Sequence, residues 1–178
     1  MPTYLGFLRA INLGAKRVFP KDDIRRVVEG AGFTDVATHI NTGNVRFTTP
    51  MRSIAKIEAV LEAAFAADRG FEVPTVVFTR AEFAAIAREV AELGAQHPGL
   101  ERHYVYLLKE EVPPESIARI EELASDAGEM VVRGRAAHAL LGQGYQAGTV
   151  DPLRAAKHLG VATNRTATVI SALAEKWT

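Results

Sequence analysis

The alternation of two periodicities along residues 3–78 is what most limits the folds open to this chain. Thr3 to Ile11 is rich in Leu, Ile and aromatic residues and reads as a buried strand. Ile24, Val27, Val28 and Ala31 then fall on one helical face, with Pro20 suited to the first turn and Gly32 to a left-handed stop. Val36, Thr38 and Ile40 alternate as a strand, and Val45 and Phe47 mark a returning one. Between them Thr42-Gly43 predicts a tight turn with Gly43 at positive φ. Ser53 is suited to cap a second helix, striped by Ile54, Ile57, Leu61, Ala64 and Phe65 and ended by Gly70. Val73 to Phe78 is a β-branched, aromatic strand. Strand-helix-strand-strand-helix-strand is the ferredoxin-like order.

The second half starts this order again. Thr79-Arg80-Ala81-Glu82 fits a capping box, opening a helix that buries Phe83, Ile86, Ala87 and Val90. Gly94 to Gly99, containing His97-Pro98, reads as a linker. A strand from His103 to Leu108 follows, then a helix after Pro113-Pro114 with Ile117, Ile120, Leu123 and Ala124 inward and Gly128 as its stop. Glu129 to Arg133 and Ala136 to Leu141 form a hairpin across Gly134-Arg135. The remainder reads as two helices, one from Asp151-Pro152 to Gly160 and one striped by Val169, Ile170, Leu173 and Trp177. The expected fold is α+β, with two ferredoxin-like (βαββαβ-type) subdomains, the second incomplete and followed by C-terminal helices. Residues 1–80 form the first, 81–100 a connecting helix and linker, and 101–178 the second.

In such a unit the exit of the first strand, the start of the first helix and the hairpin between strands two and three share one end of the sheet. Arg9, Asn12, Lys16, Asn41 and Asn44 are therefore expected to gather beside a helix N-terminus, with its partial positive charge. Gly14 and Gly43 would let a ligand approach backbone N–H groups closely. Such donors suit a phosphate or carboxylate. The same residues have a second reading as scaffold. Asn beside a hairpin often bonds nearby backbone, and Arg9 in an apolar strand suits a buried ion pair.

Other chemistry finds less support. Lys+Arg and Asp+Glu both number 21, so no global field draws the chain to nucleic acid or anionic membrane. A local cluster, Arg9, Lys16, Arg17, Lys21, Arg25 and Arg26, keeps nucleic acid as an alternative partner, although the paired exposed aromatics of RNA-recognition domains are missing. Phe7 and Phe47 are expected under helices. Without cysteine there is no disulfide, thiol nucleophile or thiolate metal site, and a reducing cytoplasm fits. His39, His97, His103, His138 and His158 show no metal-ligand spacing. His39 is a possible base for an enzyme using the same cleft. Gly142-Gln143-Gly144-Tyr145-Gln146-Ala147 spells a dinucleotide-type motif without its helix, and reads as a connection. Met1-Pro2-Thr3-Tyr4 does not start a signal peptide, and no segment offers the ~20 apolar residues of a membrane span. The expectation is a cytoplasmic protein with no cofactor, no metal and no membrane partner.

Leu8-Arg9-Ala10-Ile11-Asn12-Leu13-Gly14-Ala15-Lys16 and Asn41-Thr42-Gly43-Asn44-Val45-Arg46-Phe47 together resemble the two signature stretches of the bacterial domain of unknown function 1697 family. Its pattern is roughly Leu-Arg-Gly-Ile-Asn-Val-Gly-Gly, then Ser-Gly-Asn-Val. The similarity runs from the first strand to Phe78 and more loosely through Leu159-Gly160-Val161. The resemblance implies two ferredoxin-like subdomains and names no chemistry. Ala10 and Ala15 stand where the family usually has Gly, and Thr42 where it has Ser. Towards the C-terminus the family tends to Thr-Arg-Asn-Trp. Here Ala162-Thr163-Asn164-Arg165-Thr166 has Arg and Asn transposed and lacks the Trp, and Arg165 is carried from it as a further candidate ligand residue.

Overall fold

The computed structural model describes residues 1–145 and 151–178. The chain divides into two compact units, Met1–Ala84 with Trp177–Thr178, and Ala85–Lys176. The first contains β1 (Thr3–Leu8), α1 (Lys21–Gly30), β2 (Thr34–Thr38), β3 (Asn44–Thr48), α2 (Ile54–Arg69) and β4 (Thr75–Thr79). Its antiparallel sheet has the order β2-β3-β1-β4, with β1 central. Tyr4, Leu8, Val45, Phe47 and Val77 line one face and meet Ile24 and Val28 of α1 and Ile57, Leu61 and Phe65 of α2 in one apolar cluster. Each such buried side chain stabilises the unit by about 1.5–3 kcal/mol relative to exposure. On the other face Phe7 packs on Phe78 and Phe83.

Local chemistry sets the ends of the helices. Ser53 Oγ accepts the Lys56 N–H at 3.3 Å, and Gly70 closes α2 in the left-handed conformation at φ 76°. The Thr79–Glu82 box opens α3 (Arg80–Gln96): Glu82 N–H donates to Thr79 Oγ1 at 3.1 Å and Thr79 N–H to Glu82 Oε2 at 2.8 Å. Helix α3 runs on through Gly94, so the expected linker begins only after Gln96. The division between units falls inside α3, at Ala84/Ala85.

The second unit contains β5 (Arg102–Leu108), α4 (Pro114–Glu121), β6 (Gly128–Arg133), β7 (Ala136–Leu141), a 3-10 turn (Ala156–His158), β8 (Ala162–Thr166) and α5 (Ala167–Trp177, whose last residue groups with the first unit). Its sheet order, β6-β7-β5-β8, repeats the first when the strands are matched in sequence. Tyr106, Leu108, Ala137, Ala139, Leu141 and Met130 form an apolar face with Ile120 of α4 and with Leu153, Ala155 and Leu159.

The copy is incomplete, but in a helix rather than a strand. A fourth strand, β8, stands where only helix was expected. Its sequence, Ala-Thr-Asn-Arg-Thr, is polar, and only Thr163 and Arg165 are buried. The expected helix from Asp151 to Gly160 is corrected to the 3-10 turn. Asp151 does cap it, accepting from the Ala155 and Ala156 N–H groups at 3.0 Å, but Arg154 at φ 58° interrupts a helical path. Gly142 to Tyr145 open no helix, while Gln146 and Ala147 of the glycine motif lie outside the described residues.

Candidate functional site

The two polar turns of the first unit meet. Leu8 N–H donates to Gly43 O at 2.8 Å, and Asn12 Nδ2 donates to Asn41 O at 2.8 Å. Gly43 permits this closeness. At its φ of 83° a Cβ would sit 2.8 Å from Leu8 Cβ and 3.2 Å from Leu8 O. Asn12 also donates to Phe19 O at 2.9 Å and accepts Phe19 N–H at 2.7 Å, pinning both ends of the Asn12–Phe19 loop. Asn41 Oδ1 accepts the Lys21 N–H at 3.0 Å at the start of α1. Asn44, buried, donates to His39 O at 3.0 Å and to Thr42 Oγ1 at 2.7 Å. The three asparagine side chains thus hold the turns.

The structure also changes three expectations. Arg9 is not buried: it lies just beyond β1, exposed, with its backbone N–H on Pro74 O. At the α1 N-terminus Asn41 takes the first N–H, and Asp22 and Asp23 put negative charge in the first turn, which disfavours an anion there. Arg165 lies on β8 of the second unit. There it is buried, with Nη1 donating to Thr163 Oγ1 at 2.8 Å and Asn164 O at 2.7 Å, and burial pushes its guanidinium down to about 10.

Arg9, Gly14 and Lys16 remain on the surface of the loop. Arg9 and Lys16 make no side-chain hydrogen bond or ion pair among the described residues. The backbone N–H groups of Leu13, Gly14, Ala15 and Lys16 likewise find no acceptor among the described residues. Leu13, 78% exposed, tops the same loop. Most neighbouring cations are engaged. Arg17 donates to Ala10 O and Glu72 O and lies over the Phe71 ring, while Arg25 pairs with Glu29 and Arg26 with Asp68. His39 sets its ring edge against Trp177, with centroids 6.4 Å apart.

A second constellation lies in the second unit, among histidines whose sequence spacing gave no signal. His138 of β7 bonds Glu89 of α3 through Nε2 (3.1 Å) and His103 of β5 through Nδ1 (2.9 Å). His97, at the end of α3, bonds Leu93 O through Nδ1 (2.9 Å) and Glu129 through Nε2 (3.1 Å). Burial above all pushes His103 and His138 down to about 4 and raises the Glu89 carboxyl. Glu89 should pull His138 the other way, but His138 is fully buried and Arg133 repels its charge, so the downward direction prevails. Strand register was the one available signal: Val105 pairs with His138, which puts His103 diagonally across from it on the same face.

A family model described as a protein of unknown function (DUF1697) matches residues 1–138. No curated protein matches the chain. A solved structure of the conserved bacterial protein SP0830 from Streptococcus pneumoniae is similar, with a TM-score of 0.69 at 19% identity over 98% of this chain and 97% of that one. At that identity the likeness concerns the fold.

Proposed function

The chain belongs to the DUF1697 family, and from that premise we propose that its first unit binds a small anionic ligand, phosphate- or carboxylate-bearing, at the Arg9–Lys16 loop without transforming it. One observation carries this reading. Asn12, Asn41 and Asn44 hold the two turns through their own side chains, while Arg9, Lys16 and the Leu13–Lys16 N–H groups are left to solvent. Donors held in place before binding cost little to order, which favours affinity for a small ion.

Nucleic acid is less well supported, since Arg25 and Arg26 are paired on α1 and Phe7 and Phe47 are fully buried. It predicts salt-dependent retention on single-stranded RNA. An enzyme at the same turns would require a titratable group in reach of the loop.

The test is a titration of the full chain with inorganic phosphate and with citrate, followed through backbone amide resonances. Gly14 and Lys16 should shift, and an Arg9→Ala/Lys16→Ala double variant should lose the response while melting as the parent does. Unmoved Gly14 and Lys16 amides, or a double variant that responds like the parent, would overturn the proposal.

A further inference from the structure

A cavity of about 480 Å³ opens in the second unit between the end of α3, the start of β5 and the start of α5. His97, Glu101, Arg102, His103, Thr166 and Thr168 border it. His103 is also the end of the Glu89–His138–His103 chain, and with Glu89 ionised hydrogen-bond logic fixes every proton along it. An ionised Glu89 can only accept, so His138 Nε2 carries a proton and donates. Neutral His138 then has a bare Nδ1, so His103 Nε2 must donate to it. Neutral His103 is left with a bare Nδ1 as its remaining polar atom. That nitrogen has no partner among the described residues. Burial keeps both imidazoles neutral at neutral pH, as this pattern requires.

The rim has the opposite character. Both partners of His97 accept, so only its doubly protonated form makes both bonds. Arg102 adds an exposed cation, donating to Tyr145 Oη at 3.4 Å. The other charged groups around the relay are Arg88 and Glu92 on α3, Glu129 and Arg133 on the strands, and Arg165, which pairs with Val105 and so shares the His103 face. Glu101 is the one acid among the described residues of the cavity wall.

We propose that this cavity binds a small oxyanion that still carries a proton, such as monohydrogen phosphate, free or within a larger molecule, with its O–H donated to His103 Nδ1. Arg102, the cation on the rim, attracts the charge. The bare nitrogen then rejects any anion presenting only lone pairs, because two acceptors would face each other without a proton between them. His138 and Glu89 act as positioning residues by holding the His103 tautomer.

Phosphate and sulfate separate this idea from a purely structural relay. Monohydrogen phosphate and sulfate match in size and charge, but only the phosphate keeps an O–H. In the full chain, imidazole nitrogen resonances should show His103 protonated at Nε2, should move on adding inorganic phosphate, and should respond to sulfate at least about tenfold more weakly. In Glu89→Gln the new amide can donate to His138 as well as accept from it, so the relay is no longer fixed in one direction and His103 Nδ1 can become a donor. Discrimination against sulfate should then weaken, with phosphate still bound. His103→Gln should lose it. Equal responses to the two anions, no response at His103, or a proton found on His103 Nδ1 in the parent would each overturn the proposal. These signals are distinct from the Gly14 and Lys16 amides that report on the first unit.

Discussion

The Asn12 carboxamide joins three segments that have no other reason to stay together: the exit of β1, the approach to α1 at Phe19 and the hairpin at Asn41. Asn12→Ala removes all three bonds and leaves the part-buried Phe19 N–H and carbonyl without this partner. The expected loss is on the order of 2–3 kcal/mol, read as a lower urea midpoint at unchanged slope. Ala10 invites the opposite change. It holds φ 56°, a conformation that costs an L-residue roughly 1–2 kcal/mol and glycine almost nothing. Ala10→Gly should therefore raise stability by about 0.5–1 kcal/mol, after the greater chain entropy of glycine is subtracted, and calorimetry would show it as a higher melting temperature. Sequence located these residues well, since topology alone brought Asn12 to Asn41. It could not give the direction of an amide. Whether Asn12 faces a ligand or the Phe19 backbone depends on the left-handed path through Ala10, Asn12 and Arg17, three residues whose types do not predict positive φ as glycine does.

Among the elements, α3 was the easiest to read and β8 the hardest. The Thr79–Glu82 box is a local code in which each side chain satisfies a backbone donor four residues wide, so it survives any uncertainty about tertiary packing. Thr79→Ala should cost about 1 kcal/mol, and Glu82→Gln, which keeps an acceptor, distinctly less; parallel denaturant titrations would separate them. Strand β8 carries no comparable code. Three of its five residues are Thr or Asn, and what makes it a strand is pairing with β5 from Tyr104–Thr166 to Leu108–Ala162. Non-local pairing of this kind outweighs composition and leaves no mark in a short window. Arg154 hid the neighbouring element in a similar way, by breaking at one left-handed residue a segment whose cap and apolar residues read as helix.

Over the whole molecule, the balance of 21 basic and 21 acidic residues conceals an uneven treatment of charge. On α1, and between α1 and Asp68 of α2, the charges pair at the surface, where ion pairs contribute little. In the second unit two histidines are carried into the interior and kept neutral, and this sets how the protein responds to acid. Unfolded, each imidazole titrates near its ordinary 6.5, whereas in the fold both are held to about 4. Their contribution to stability is complete above 6.5 and is lost as pH falls from there towards 4, because the unfolded chain binds the protons first. Glu89 opposes this, since its raised carboxyl takes up a proton in the fold before it does so in the unfolded chain. Two groups outweigh one, so stability should fall between pH 7 and pH 5 by an amount on the order of 1–3 kcal/mol. Urea midpoints at the two pH values would measure it. His138→Gln, even if less stable overall, should show a smaller drop across the same interval. A midpoint as high at pH 5 as at pH 7 would mean that the His103–His138 pair enters the fold already protonated.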